Sequence, residues 1–203
     1  MISNGKFYES QFEEATIELL REAHWQYAFG DDIHRKYTDP LIEEDLRNFL
    51  TVQYKDKNLT TSEMDSIVAN LRNTGGQNDY YALRNAFLLY RDGYDFAYSD
   101  GRDNPFRLEY IDFEHPDHNI FRCVNQFVME QGRENRRPDI LLFINGIPVC
   151  IIELKNPTKQ NATIHDAHTQ ICTRYMRDIP ALLKYCALAV ISDGAKNALG
   201  TTY

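Results

Sequence analysis

Asp139, Glu153 and Lys155 are the residues of this chain whose types and spacing could do chemistry. Asp139 opens the apolar run ILLFI. Glu153-Leu154-Lys155 closes the second run, IPVCII, and Asn145-Gly146 lies between the two. Two carboxylates brought together suit Mg²⁺, which takes few protein oxygens and keeps several waters. A lysine beside them could position or deprotonate a water, or stabilise charge developing on a phosphoryl group. Asp on one strand and Glu-x-Lys on the next is therefore a minimal phosphodiester-cleaving site. The plain alternative is a strand that ends in charges because it has reached solvent. Unpaired charges beside a core cost several kcal/mol each in lost solvation, which weighs against a purely structural use.

The two runs must be strands if these side chains are to meet. Short, almost purely apolar runs fit central strands covered on both faces. Side chains alternate along a strand, so Glu153 and Lys155 share a face and Leu154 takes the other. A two-residue Asn145-Gly146 loop would pair Asp139 with Ile152 and leave Glu153 on the wrong side. A three-residue loop or a bulge restores the parity, so one of these is expected.

The rest of the chain divides near residue 95. Before it the pattern is helical. QFEEATIELLREAH (11–24) carries Phe12, Ile17, Leu19 and Leu20 on or near one face. Asp39-Pro40 reads as a cap and first residue for the following helix. Thr60 to Glu63 is a capping box, Gly75-Gly76 a stop, and Asn78 or Asp79 a further cap for a helix to about Arg91. Trp25, Tyr27 and Phe29 read as core or helix-end packing. After residue 95, 107–113 and 120–130 alternate as strands, the latter with Phe121, Cys123, Asn125, Phe127 and Met129 on one face. QGRENRRP and NPTKQNAT read as loops, His165 to Arg177 as a helix ended by Pro180, and CALAVIS as a last buried strand. SDGAKNALGTTY shows no closing element, so the chain is expected to be a piece of a longer one.

The formal net charge is -8, which argues against nucleic-acid affinity by bulk charge. Arg133, Arg136 and Arg137 form the clearest local basic cluster, and phosphate contact competes there with a solvated loop. Cys123, Cys150, Cys172 and Cys186 have no CxxC spacing; Cys123, Cys150 and Cys186 sit in apolar surroundings and read as buried free thiols, which fits a reducing cytoplasm. The amino-terminal stretch has no signal-peptide character, and no run approaches a membrane span. His115-Pro-Asp-His118 has no second ligand pair at finger spacing and reads as a polar turn.

Arg137-Pro138-Asp139-Ile140, Asn145-Gly146-Ile147-Pro148 and Ile152-Glu153-Leu154-Lys155-Asn156-Pro157 resemble the N-terminal nuclease domain of the R (motor and cleavage) subunit of type I restriction enzymes. Asn125-Gln126-Phe127, Tyr175 to Pro180, Ser192-Asp-Gly and Leu199-Gly-Thr201 resemble that family too, so the likeness is strongest over about 105–203. The resemblance implies an α/β (α+β) restriction-endonuclease-like PD-(D/E)xK fold. It comprises a mixed β-sheet flanked by helices, with a helical N-terminal half. Residues 1–203 would be a single nuclease domain, 1–95 mainly helical and 105–203 the sheet core with the active site. The resemblance implies Asp139 and Glu153 as Mg²⁺ ligands, Lys155 as the catalytic lysine, and Gln170 and Tyr175 on the following helix as supporting residues. The family's usual Gln-to-Tyr separation is four; here it is five. On an α-helix five residues turn ~140° past a full circle, so the two side chains are expected to diverge. Glu13 is the first-helix glutamate that could add a metal ligand, although a solvated helix face accounts for it as well.

The implied partners are double-stranded DNA, a helicase/translocase later in the same polypeptide, and methyltransferase and specificity subunits. The sequence holds no GxxxxGK[ST], so ATP would be the business of the full-length subunit. The alternatives are a stand-alone DNA repair nuclease of the same fold and an inactive docking module. Convergence of Asp139, Glu153 and Lys155 discriminates against the second.

Overall fold

The computed structural model describes residues 9–155, 164–194 and 196–202. A six-stranded mixed sheet organises it, in the order β1 (Gln26–Phe29), β4 (Phe121–Asn125), β7 (Ile140–Ile144), β8 (Ile147–Leu154), β9 (Leu188–Ser192) and β10 (Asn197–Gly200). β1 runs parallel to β4 and β8 parallel to β9; the remaining pairs are antiparallel. The hairpin β7–β8 is central, as its continuous apolar runs require.

Helix α1 (Glu9–Glu22) covers one sheet face, where Ile17 packs with Ile140, Cys150, Ile152 and Leu154. Leu19, expected on that face, is exposed, because the inward stripe runs through Phe12, Ile17 and Leu20. The other face buries Val124, Leu141, Phe143 and Ile151. It is covered by α5 (Ile164–Thr169), a π turn (Gln170–Tyr175), α6 (Met176–Asp178) and α7 (Pro180–Leu183). A further cluster joins α2 (Glu43–Gln53), α3 (Thr61–Arg72) and α4 (Asp79–Asp92) to the turn end of the hairpin through Ile147, and includes Tyr185 ahead of β9. Thr60 forms the expected capping box with Glu63, and Asn78 caps α4. Among the described residues no helix is long and apolar enough to cross a membrane.

Several expected boundaries move for physical reasons. The helix after Asp39-Pro40 begins only at Glu43; Ile42 is its N-cap, and the Ile42 N–H donates to Gly146 O at 2.9 Å. In 107–113 only the start is strand: β3 (Phe106–Leu108) pairs with β2 (Tyr94–Phe96), and the chain then turns around Asp112. The alternation across 120–130 is broken at Gln126, which takes φ 55°. Phe127 and Met129 consequently fall with Val124 on the face opposite the expected one. QGRENRRP is not plain loop, since β5 (Met129–Gln131) and β6 (Glu134–Arg136) form a hairpin across Gly132. The expected loop NPTKQNAT (156–163) lies outside the described residues. Tyr27 and Phe29 belong to edge strand β1, with Trp25 edge-on to Phe121 at 5.2 Å. Within the ending, Asn197–Gly200 forms strand β10, paired antiparallel with β9. All four cysteines are free thiols.

Candidate active site

The hairpin decides which side chains can meet. Asn145 and Gly146 take φ of 50° and 76°, the paired left-handed conformation of a two-residue turn, with Ile144 opposite Ile147. That register alone would set Asp139 against Ile152. The pairing slips between Leu142 and Phe143, so that Leu142 faces Cys150 while Phe143 faces Pro148. Val149 is the extra residue of this bulge, beside a proline that has no N–H to give the ladder. Beyond the slip Ile140 pairs with Ile152, so Asp139 stands across from Glu153. The bulge alternative is the one adopted.

Glu153 follows Ile151 onto the face covered by α5 and the π turn, and its side chain is fully buried. Its Oε2 accepts from Gln170 Nε2 at 2.7 Å and lies 3.4 Å from Lys155 Nζ. Its Oε1 is buried without a hydrogen-bond partner. Burial first, and the nearby Asp139 charge second, push its carboxyl up to about 8, while Lys155 opposes the shift. Asp139 Oδ2 accepts the Leu154 N–H at 2.8 Å, which ties its carboxylate to the end of β8. Lys155 is fastened at the backbone by its N–H to Ser192 O (2.8 Å), and its Nζ donates to Gln170 Oε1 at 3.0 Å.

Gln170 therefore touches both charged residues of the Glu-x-Lys pair, and its Nε2 also donates to the Tyr175 hydroxyl at 2.7 Å. The expected divergence of Gln170 and Tyr175 does not occur. The segment between them is a π turn, whose i to i+5 bonding widens the helix just where the five-residue spacing needs it. Burial, and then the Glu153 carboxyl, raise the Tyr175 phenol above its usual range.

Glu13 approaches from the α1 side, held by Asn125 Nδ2 at 2.7 Å and by Gln126 Nε2 at 3.0 Å to each oxygen. Gln126 in turn donates its backbone N–H to Asp139 O. Among the described residues Glu13, Asp139 and Glu153 do not bring three ligand atoms within 4.8 Å of one another. The two amides that hold Glu13 were not singled out by chemistry in the sequence, although both lie in the Asn125-Gln126-Phe127 segment.

The arginine cluster is split. Arg133 is exposed at the β5–β6 turn. Arg136 is bound to Asp178 (Nε to Oδ2, 2.8 Å) and to Glu134. Arg177 and then Arg136 hold the Asp178 carboxyl below its usual range. Arg137 is exposed and lines a cleft of about 460 Å³ with Gln170, Tyr175 and Arg174. Arg174 was missed by sequence reasoning. Only its place beside Tyr175 could have marked it.

Comparison with known proteins places the chain in a family. Residues 6–203 match the family described as type I restriction enzyme R protein N terminus. The HindI endonuclease subunit of a type I restriction enzyme from Haemophilus influenzae is 29% identical over 203 residues, covering 95% of this chain and 19% of that protein. A putative type I enzyme subunit from Methanocaldococcus jannaschii, MjaIXP, is 31% identical over 197 residues, 93% of this chain and 19% of its own. The Escherichia coli EcoprrI endonuclease subunit is 33% identical over 105 residues, 50% of this chain and 31% of its own. The chain thus spans about a fifth of the length of the first two relatives.

Proposed function

Because the chain belongs to the family of type I restriction enzyme R protein N termini, we propose that it is a Mg²⁺-dependent endonuclease domain that cleaves double-stranded DNA within a type I restriction-modification complex. The observation that carries this reading is the bulge that sets Asp139 opposite Glu153, with Lys155 bridged to the same carboxylate through Gln170.

The residues present fit a divalent cation. Glu153 Oε1 is a buried carboxylate oxygen with no protein partner, and a hard oxygen donor of that kind suits Mg²⁺. Asp139 and Glu153 would hold the ion. When bound, it would polarise a phosphodiester oxygen and lower the pKa of a coordinated water. Lys155, kept in place by Gln170 Oε1 and the Ser192 carbonyl, would set its ammonium against the charge that builds on the phosphoryl oxygens. Gln170 and Tyr175 would fix the Glu153 rotamer. Arg137 and Arg174 would meet the DNA backbone at the cleft mouth.

The translocase and the methyltransferase and specificity subunits of the complex would bring the DNA, so the domain needs little affinity of its own. This accords with a net charge of -8. The test is made in the full enzyme. Asp139→Ala and Lys155→Ala should abolish cleavage while ATP hydrolysis and translocation persist. Loss of all three activities from a folded protein would point to a docking role instead.

A further inference from the structure

The turn that follows β3 carries a second constellation, independent of the nuclease reading. We propose that Asp112, His115 and His118 form a binding site for a divalent transition-metal ion of the Zn²⁺ class. The two imidazole Nδ1 atoms converge on one oxygen: Asp112 Oδ2 lies 3.0 Å from His118 Nδ1 and 3.6 Å from His115 Nδ1. Ligand atoms of all three residues lie within 4.8 Å of one another. An ion held tetrahedrally by bonds of about 2.0–2.1 Å sets its ligand atoms ~3.3 Å apart, so both distances are a few tenths of an ångström from a bound arrangement. A hydrogen bond accounts for His118 alone. His115, brought to the carboxylate by its backbone N–H, turns its Nδ1 toward the same oxygen from beyond hydrogen-bond range, with the two rings stacked at 5.0 Å and 18°.

The carboxylate is preorganised as a metal ligand would be. Its Oδ1 accepts the N–H groups of Glu114 (3.1 Å) and His115 (2.8 Å), and Oδ2 accepts from Gln53 Nε2 (3.1 Å). Asn119 locks the loop from the far side, accepting the Asp112 N–H at 2.9 Å and donating to the Asp112 and Pro116 carbonyls. Outer contacts of this kind orient ligands and raise metal affinity. Asn119 also accepts from the buried Asn145 amide, so the loop is fastened to the β7–β8 turn. Asn145 lies six positions along β7 from Asp139, roughly 20 Å at ~3.3 Å per residue. The chemistry differs as well: imidazole suits Zn²⁺, Ni²⁺ or Cu²⁺, whereas Mg²⁺ prefers oxygen. Both histidine side chains are more than half exposed, 62% and 52%, which leaves an entry path and a fourth position for water.

The experiment is equilibrium dialysis and titration calorimetry of the chelator-treated 203-residue chain with Zn²⁺, alongside His115→Ala, His118→Ala and the double variant. Co²⁺ is added separately for its visible d–d bands. Exposure of both rings keeps the variants folded, which circular dichroism checks. The expected result is one Zn²⁺ per wild-type chain, not displaced by millimolar Mg²⁺. Each single variant should weaken it by more than roughly tenfold and the double variant should abolish the Co²⁺ bands. Absence of Zn²⁺ binding in the wild type, or undiminished binding in the double variant, would overturn the proposal.

Discussion

Replacing Glu153 with glutamine should make the metal-free domain more stable at neutral pH. Glu153 is fully buried and its carboxyl is pushed up to about 8 from an ordinary value of 4.5. The folded protein therefore keeps a proton that the unfolded chain releases above pH 4.5. The sign follows: this group's contribution is fully favourable below pH 4.5, declines as pH rises, and levels off above about 8. Each tenfold in proton affinity is worth about 1.4 kcal/mol. The interval from 4.5 to 7 thus corresponds to roughly 3 kcal/mol, as an upper estimate for a group coupled to Asp139 and Lys155.

The amide introduced by Glu153→Gln would copy the protonated acid, could still accept from Gln170 Nε2, and has no proton to lose. Urea unfolding of both proteins at pH 4, 7 and 9, with and without Mg²⁺, reads the effect. The variant should match the wild type at pH 4, exceed it by about 2–3 kcal/mol at pH 7 and by about 1 kcal/mol more at pH 9. Mg²⁺ should stabilise only the wild type, since it binds the folded carboxylate. A stability difference that does not change between pH 4 and 9 would refute the argument from burial.

Other outcomes follow from the same contacts. Gln170→Ala removes a half-buried partner from both Lys155 Nζ and the Tyr175 hydroxyl and should cost about 1–3 kcal/mol by chemical denaturation. Gly146→Ala would place a Cβ 2.1 Å from Ile42 O at a φ of 76°, and a loss of roughly 3 kcal/mol or more in stability is expected. Deleting Val149 removes the bulge and should turn Glu153 away from Gln170, abolishing Mg²⁺-dependent stabilisation even if a folded hairpin is recovered. The isolated domain should bind duplex DNA weakly in anisotropy titrations. In the assembled enzyme, Arg137→Ala with Arg174→Ala should flatten the salt dependence of cleavage by a log–log slope of about 2.

The hairpin and its charged ends were legible because continuous apolar runs admit little else, and side-chain parity then demanded a bulge or a longer turn. What sequence could not convey were contacts distant along the chain. The helix start at Asp39-Pro40 had sound local chemistry, yet Ile42 is drawn to Gly146, about a hundred residues on. The break at Gln126 was hidden because apolar residues keep alternating through it while the backbone takes φ 55°. β1 and β10 are four-residue edge strands, too short and too exposed to carry a period. Of the candidate site, Asp139, Glu153, Lys155, Gln170 and Tyr175 come together. Glu13 is held by the amides of Asn125 and Gln126, and Arg136 by Asp178.

A helix that carries two side chains to one destination is constrained in their azimuth, not in the number of residues between them. One surplus residue in an α-helix rotates everything beyond it by about 100°. Between Gln170 and Tyr175 the backbone absorbs that surplus by opening a single wider turn, and the rest of the helix keeps its phase. Spacings of four in an α turn and five in a π turn are thus interchangeable answers to one geometric demand. A fixed-gap pattern would reject this chain although its amide and phenol meet. The latitude is narrow, because the backbone has no comparably regular turn to accommodate a second insertion. Length variation in this helix should therefore stop at one residue unless Lys155 and Glu153 lose their shared contact.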